Sequence, residues 1–129
     1  NYSALVNKLK FVINDEQEAE AAASFAEKYS QSLGDYDHAL GINPDTLWNA
    51  DKMGAWMQVT DHVCQSAKII EHLHDQASQQ AFIERSYGRS MTSVEEKLLA
   101  DLSGQQLKPD IQSRILCNAV FLSAEFVSL

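Results

Sequence analysis

Residues Pro109 to Leu129 read PDIQSRILCNAVFLSAEFVSL, and we expect the other segments to pack around them. Its apolar residues recur at three- and four-residue spacing, which is typical of an α-helix. They form one row of Ile111, Ile115, Ala119, Leu122 and Phe126, and a neighbouring row of Leu116, Val120 and Val127. A helix that is apolar around most of its circumference is normally packed by neighbours on several sides. We therefore predict that this segment is the central, buried helix of the protein.

The same stretch is close to the length of a membrane-spanning helix, which needs about 20 apolar residues. However, Arg114, Asn118 and Glu125 lie within it. Burying charged and polar side chains in a bilayer is costly. The sequence thus predicts a core helix and no membrane insertion.

The rest of the chain predicts further helices, because amphipathic runs begin at capping residues and end at glycines. Capping boxes are predicted at Asn14 with Gln17 and at Thr92 with Glu95, and glycine stops at Gly34, Gly88 and Gly104. The third run extends from Pro44 to about Gln76 or breaks near Gly54. The predicted fold is an all-α, single-domain bundle of five to six helices around the buried C-terminal helix.

A chain of 129 residues is long enough for one domain, and we assign residues 1–129 to it. It begins at Asn1 without an initiator Met and ends inside an apolar helix. These features predict a processed chain or a fragment of a longer protein.

The formal net charge of −8, from 10 basic and 18 acidic residues, argues against nucleic-acid binding. Phosphate binding needs clustered Lys and Arg side chains, and the basic residues here are scattered. The charge is compatible with a basic protein partner.

The two cysteines, Cys64 and Cys117, match no zinc, redox or haem spacing. The sequence leaves two alternatives open for their chemical state. The cysteines are either two buried thiols or a disulfide between two helices of a secreted protein.

Catalytic and metal-binding patterns are absent from the sequence. His62, His72 and His74 lack the spacings that place two ligands on one helical face. The acidic loop containing Asp35 and Asp37 lacks the closing glutamate of a calcium loop. No nucleophile elbow or phosphate-binding glycine motif occurs. We therefore predict that the protein is not an enzyme and has no metal or cofactor.

Four residues could line a small-molecule pocket: Trp48, Trp56, Met57 and His62. Aromatic and methionine side chains at helical spacing are usually part of the core. A helical protein that binds a small molecule or cofactor remains a further alternative.

Two segments, FIERSYGRSMTSVEEKLLADL (Phe82 to Leu102) and IQSRILCNAVFLSAEF (Ile111 to Phe126), carry a local resemblance. An aromatic-Gly-Arg turn opens onto a helix with a Thr-x-x-Glu start, and a later helix ends in Ser-x-Glu-Phe. The matching residues are Tyr87, Gly88, Arg89, Thr92, Glu95, Ser123, Glu125 and Phe126. This pattern resembles small helical modules of secreted and cell-surface bacterial proteins. It is similar in outline to phycobilisome linker repeats and to terminal helices of bacterial proteins that accompany periplasmic cytochromes.

The resemblance implies an accessory module outside the cytoplasm without chemistry of its own, and it favours a disulfide between Cys64 and Cys117. The leading functional hypothesis is accordingly a non-catalytic protein–protein interaction module within a larger assembly. Its expected location is periplasmic or extracellular rather than cytoplasmic. The alternative is an acidic inhibitor or immunity-type protein that binds a basic effector.

Overall fold

The computed structural model describes residues 2–33 and 50–127. The helices in these ranges are α1 (Tyr2–Ile13), α2 (Glu16–Glu27), α3 (Ala50–Cys64), α4 (Ala67–His72), α5 (Gln76–Tyr87), α6 (Ser93–Gly104), α7 (Pro109–Phe121) and α8 (Ala124–Val127). No strand occurs within the described residues, and the predicted all-α bundle is confirmed. The described part holds eight helices rather than five to six, because two of the predicted helices are broken.

The C-terminal segment is central, as predicted, since α7 packs against α3, α4, α5 and α8. It is not one continuous helix. After Phe121 the chain turns at Leu122 and Ser123 before the short α8 begins. The Ser123 hydroxyl stabilises this turn by donating to the carbonyl of Val120 and accepting from the Phe126 N–H.

The buried face of α7 differs from the predicted one. Leu116, Cys117, Val120 and Phe121 are buried together with Ser113, whereas Ile111 and Ile115 are each 44% exposed. The Ser113 hydroxyl donates to the buried carbonyl of Leu73, which also accepts from Gln79 Nε2. With Ser113 on the buried side of α7, Ile111 and Ile115 face outward, whereas Phe126 of the same predicted row is buried.

The centre of the core is aromatic. Trp56, Phe121 and Phe126 are fully buried, and the indole N–H of Trp56 donates to the Phe121 carbonyl over 2.8 Å. The Phe126 ring packs edge-on against Phe121, with centroids 5.1 Å apart. A buried indole nitrogen needs such a partner. Phe126 thus anchors the last turn of the chain in the core.

The start of α2 lies one residue later than predicted. Asp15, not Asn14, is the N-cap, and its carboxylate accepts from the N–H of Glu18. Asn14 instead takes a positive φ of 54°, a conformation that asparagine tolerates better than most residues. Asn14 therefore reverses the chain between α1 and α2, and the capping role passes to the next residue.

The predicted long third helix breaks at Gln65 and Ser66, well after Gly54. The Ser66 hydroxyl donates to the carboxylate of Glu18 on α2 over 2.8 Å, which holds this break against the neighbouring helix. The predicted start at Pro44 lies outside the described residues, as does Gly34. The predicted extension of α2 to a stop at Gly34 is wrong, because α2 ends at Glu27 with Lys28 as its C-cap.

The signals around α5 and α6 agree with the structure. Gly88 ends α5 with a φ of 68°, which glycine adopts without steric cost. Thr92 and Glu95 form the predicted capping box of α6. None of the helices in the described ranges has both the length and the apolar character required to cross a membrane.

Candidate functional site

Cys64 and Cys117 form a disulfide between α3 and α7. Their Cα atoms are 5.7 Å apart, and both side chains are fully buried. The disulfide alternative is therefore the one that the structure adopts. It covalently joins the two helices that already share the hydrogen bond from Trp56 to Phe121.

The residues predicted to line a pocket lie in different environments. Trp56 belongs to the core, whereas Met57 is 48% exposed. The exposed His62 ring stacks on Phe25 of α2, with centroids 3.7 Å apart. Trp48 lies outside the described residues, and a ligand at these positions stays a prediction.

Within residues 2–33 and 50–127, no group of three or more His, Cys, Asp or Glu side chains is placed to hold a metal ion. The predicted acidic loop with Asp35, Asp37 and His38 lies outside those ranges. His74 pairs with Asp110 over 2.8 Å on the surface, so its described partner is a single carboxylate.

A row of exposed aliphatic side chains is the most conspicuous surface feature of α6 and α7. Val94 and Leu98, one turn apart on α6, are 66% and 62% exposed. Ile111 and Ile115 lie one turn apart on α7. We call these four residues the aliphatic row.

Leu98 and Ile115 of the aliphatic row line a groove of about 560 Å³ between α5, α6 and α7, which we call the α6–α7 groove. Its walls are formed by Ile83, Tyr87, Glu95, Leu98, Leu99, Asp101, Leu102, Gln105, Ile115, Leu116, Ala119 and Val120. A second depression lined by Ile111, Arg114, Ile115 and Asn118 adjoins it at Ile115. The two depressions therefore meet at Ile115 of α7.

A cluster of side chains fixes the N-terminus of α6 beside this groove, and we call it the Arg89 clamp. The Arg89 guanidinium donates to both carboxylate oxygens of Glu95, over 2.8 and 2.9 Å. It also donates to both carboxylate oxygens of Glu125, over 2.9 and 2.6 Å. Arg89 therefore joins the loop before α6, the first turn of α6 and the start of α8.

The Arg89 clamp shifts the proton affinity of its members. Hydrogen bonds from Arg89 lower the pKa of Glu95 from 4.5 to about 2. The hydrogen bonds to Glu95 and then Glu125 raise the pKa of Arg89. Both groups stay charged at neutral pH, so this cluster has a structural role rather than that of a proton donor or acceptor.

The residues that carry the sequence resemblance lie together in space. Besides the contacts of Arg89, the Tyr87 hydroxyl donates to the Ser123 hydroxyl over 3.0 Å. Ser123 in turn accepts from the N–H of Phe126. Each of these residues therefore has a local role in joining α5, α6 and α8.

Sequence reasoning missed the aliphatic row as a surface feature. The apolar spacing in α6 predicts one buried stripe of Val94, Leu98, Leu99 and Leu102, yet Leu99 is the buried residue of that helix, at 4% exposure. Apolar spacing identifies a helix face but does not say whether another helix covers it. The charged residues Lys97 and Asp101 beside Val94 and Leu98 are the one sequence signal that could have indicated exposure.

Searches of protein-family models, curated proteins and solved structures find no match to this chain. The resemblance of residues 82–126 to bacterial helical modules stays a prediction.

Proposed function

We propose that this protein is a non-catalytic helical module that binds an amphipathic helix of a partner protein in the α6–α7 groove. The observation that carries the proposal is the α6–α7 groove, whose wall includes the exposed residues Leu98 and Ile115 of the aliphatic row. Grooves of this kind take up helices that present apolar side chains three and four residues apart.

The packing of α6 supports a binding role. This helix contributes one fully buried side chain, Leu99, while Val94 and Leu98 stay in solvent. Contiguous exposed apolar surface is uncommon on soluble proteins and often marks an interaction site. A partner helix that covers the row would remove these side chains from water, at about 25 cal/mol for each Å² of apolar surface buried.

The charges of the groove support a partner with a basic flank. Its charged lining residues are both acidic, Glu95 and Asp101. Glu95 is bound by Arg89, whereas Asp101 has no ion pair among the described residues. A Lys or Arg beside the partner's apolar face would pair with Asp101, in keeping with the net charge of −8.

Site-specific photo-crosslinking tests the proposal. A benzophenone amino acid replaces Leu98 in one variant and Met57, an exposed apolar residue on α3, in the control. Both variants are irradiated in an extract of the cells that make the protein. We expect position 98 alone to crosslink one protein, through a helical segment with aliphatic residues three or four apart and a nearby Lys or Arg.

The same proteins captured at positions 98 and 57, or none at position 98, would refute docking in the groove. Salt dependence separates the leading proposal from the acidic-inhibitor alternative. Binding through apolar contacts should change little between about 50 and 500 mM salt, because screening acts mainly on exposed charges. Affinity that falls steeply with salt would favour capture of a basic effector by charge.

A further inference from the structure

A second cavity lies on another part of the bundle, between α1, α4 and α5. Its volume is about 210 Å³, and it shares no lining residue with the α6–α7 groove. The apolar part of its wall contains Val12, Ile69, Leu73, Phe82 and Phe121. We call it the Arg85 cavity, because the side chain of Arg85 lines it as well.

Arg85 is a partly buried cation without a described counter-ion. Its Nε donates to the Val12 carbonyl over 2.8 Å, near the end of α1. No ion pair joins it to a carboxylate within the described residues. Burial lowers the pKa of Arg85, and no neighbouring acid raises it. The structural contact with α1 thus uses one N–H and leaves the two terminal amino groups of the guanidinium for another acceptor.

The acidic residues of the cavity are already engaged. Asp15 caps α2 through the N–H of Glu18, and it lies 3.8 Å from the ammonium of Lys68. Glu18 accepts from the hydroxyl of Ser66. Asp15 therefore has a cationic partner and Glu18 has a hydroxyl donor, and neither carboxylate forms an ion pair with Arg85 among the described residues.

We propose that the Arg85 cavity binds a small organic monocarboxylate whose apolar body lies against Ile13, Ile69 and Ala81, the apolar wall residues that keep accessible surface. The guanidinium is a planar donor fork that matches the geometry of a carboxylate. A closed apolar cavity of about 150 Å³ in another protein accepts benzene. A cavity of about 210 Å³ therefore has room for one ring and a carboxylate. This site is independent of the proposed helix-binding groove.

A pair of nearly isosteric probes tests the charge requirement. Phenylacetate carries the carboxylate, and phenylacetamide replaces it with a neutral amide. Titrations are followed by the δ1-methyl NMR signals of Ile69, which lines the cavity, and of Ile115, which lines the groove. We expect phenylacetate to shift the Ile69 signal without moving that of Ile115, and to bind about tenfold more tightly than phenylacetamide.

Substitution of the guanidinium completes the experiment. Arg85→Gln should abolish the preference for phenylacetate. Arg114→Gln, the control on the outer surface of α7, should retain it. Equal affinity of the two probes for the unmodified protein would overturn the proposal without any variant. So would a preference that persists in Arg85→Gln, or shifts of Ile115 in place of Ile69.

Discussion

The Trp56 side chain stabilises the fold both by packing in the core and by a hydrogen bond. Its ring fills the centre of the core, and its N–H binds the Phe121 carbonyl at the end of α7. The last carbonyls of a helix have no partner within the helix. Trp56 therefore supplies a hydrogen bond that α7 itself cannot make.

Replacing Trp56 by Phe should remove this donor and leave a small void. We expect a loss of about 2–4 kcal/mol in the free energy of unfolding, from the unpaired carbonyl and the missing packing. Urea unfolding followed by circular dichroism measures it. The control Met57→Leu, at the exposed neighbouring position, should change stability by less than about 0.5 kcal/mol. A loss no larger than that of the control would contradict the role assigned to Trp56.

Glu95 makes the fold sensitive to acid. Its pKa is lowered from 4.5 to about 2, chiefly by hydrogen bonds from Arg89. A carboxyl group with a lowered pKa in the folded state stabilises the protein above its unfolded pKa. This stabilisation should disappear as the pH falls from about 4.5 to about 2.

The free energy of unfolding, measured with urea at a series of pH values, tests this predicted loss of stability. Glu95→Gln should flatten the decline in stability between pH 5 and pH 2. Glu96→Gln, which removes the same charge at the exposed next position, should leave the decline as it is. An unchanged pH profile in Glu95→Gln would mean that the exposed part of the clamp is too well hydrated to contribute.

At the scale of the helices, α6 stands out by its weak burial. Seven side chains of α3 are buried, but only Leu99 of α6 is. Few buried contacts permit local opening without global unfolding. We expect amide hydrogen exchange to be faster in α6 than in α3 and α7, and to slow when a partner helix occupies the α6–α7 groove. Equal protection of α6 and α3 in the free protein would contradict this view.

Helix types and several caps could be predicted from the sequence, because they depend on local chemistry. The capping box of Thr92 with Glu95 and the stop at Gly88 are of this kind. The orientation of α7 could not be predicted, since it depends on the contact of Ser113 with the distant carbonyl of Leu73. The Arg85 cavity could not be predicted either, because its wall combines residues far apart in the chain.

At the scale of the whole molecule, the disulfide connects parts that are 53 residues apart. In the chain-entropy account, closing a loop of this length stabilises the fold by about 4 kcal/mol. We expect the double variant Cys64→Ala/Cys117→Ala to lose up to this amount. Adding a reductant to the unmodified protein should have a similar effect on urea unfolding.

Two controls belong to this experiment. The double variant should show no response to the reductant, and the intact mass of the unmodified protein should rise by two hydrogen atoms on reduction. Disulfides persist mainly in oxidising compartments, and the location outside the cytoplasm stays a prediction from the sequence. Free thiols in protein purified under native, non-reducing conditions would contradict both expectations.

The disulfide also determines what a protease can release. The exposed stretch from Gln105 to Lys108 lies between Cys64 and Cys117. A single cut there divides the polypeptide without separating its two pieces, which migrate as one band until a reductant is added. Because α6 ends before the cut and α7 begins after it, the two helices then lie on different fragments. The disulfide keeps these fragments covalently linked, so both walls of the groove stay together in a nicked molecule.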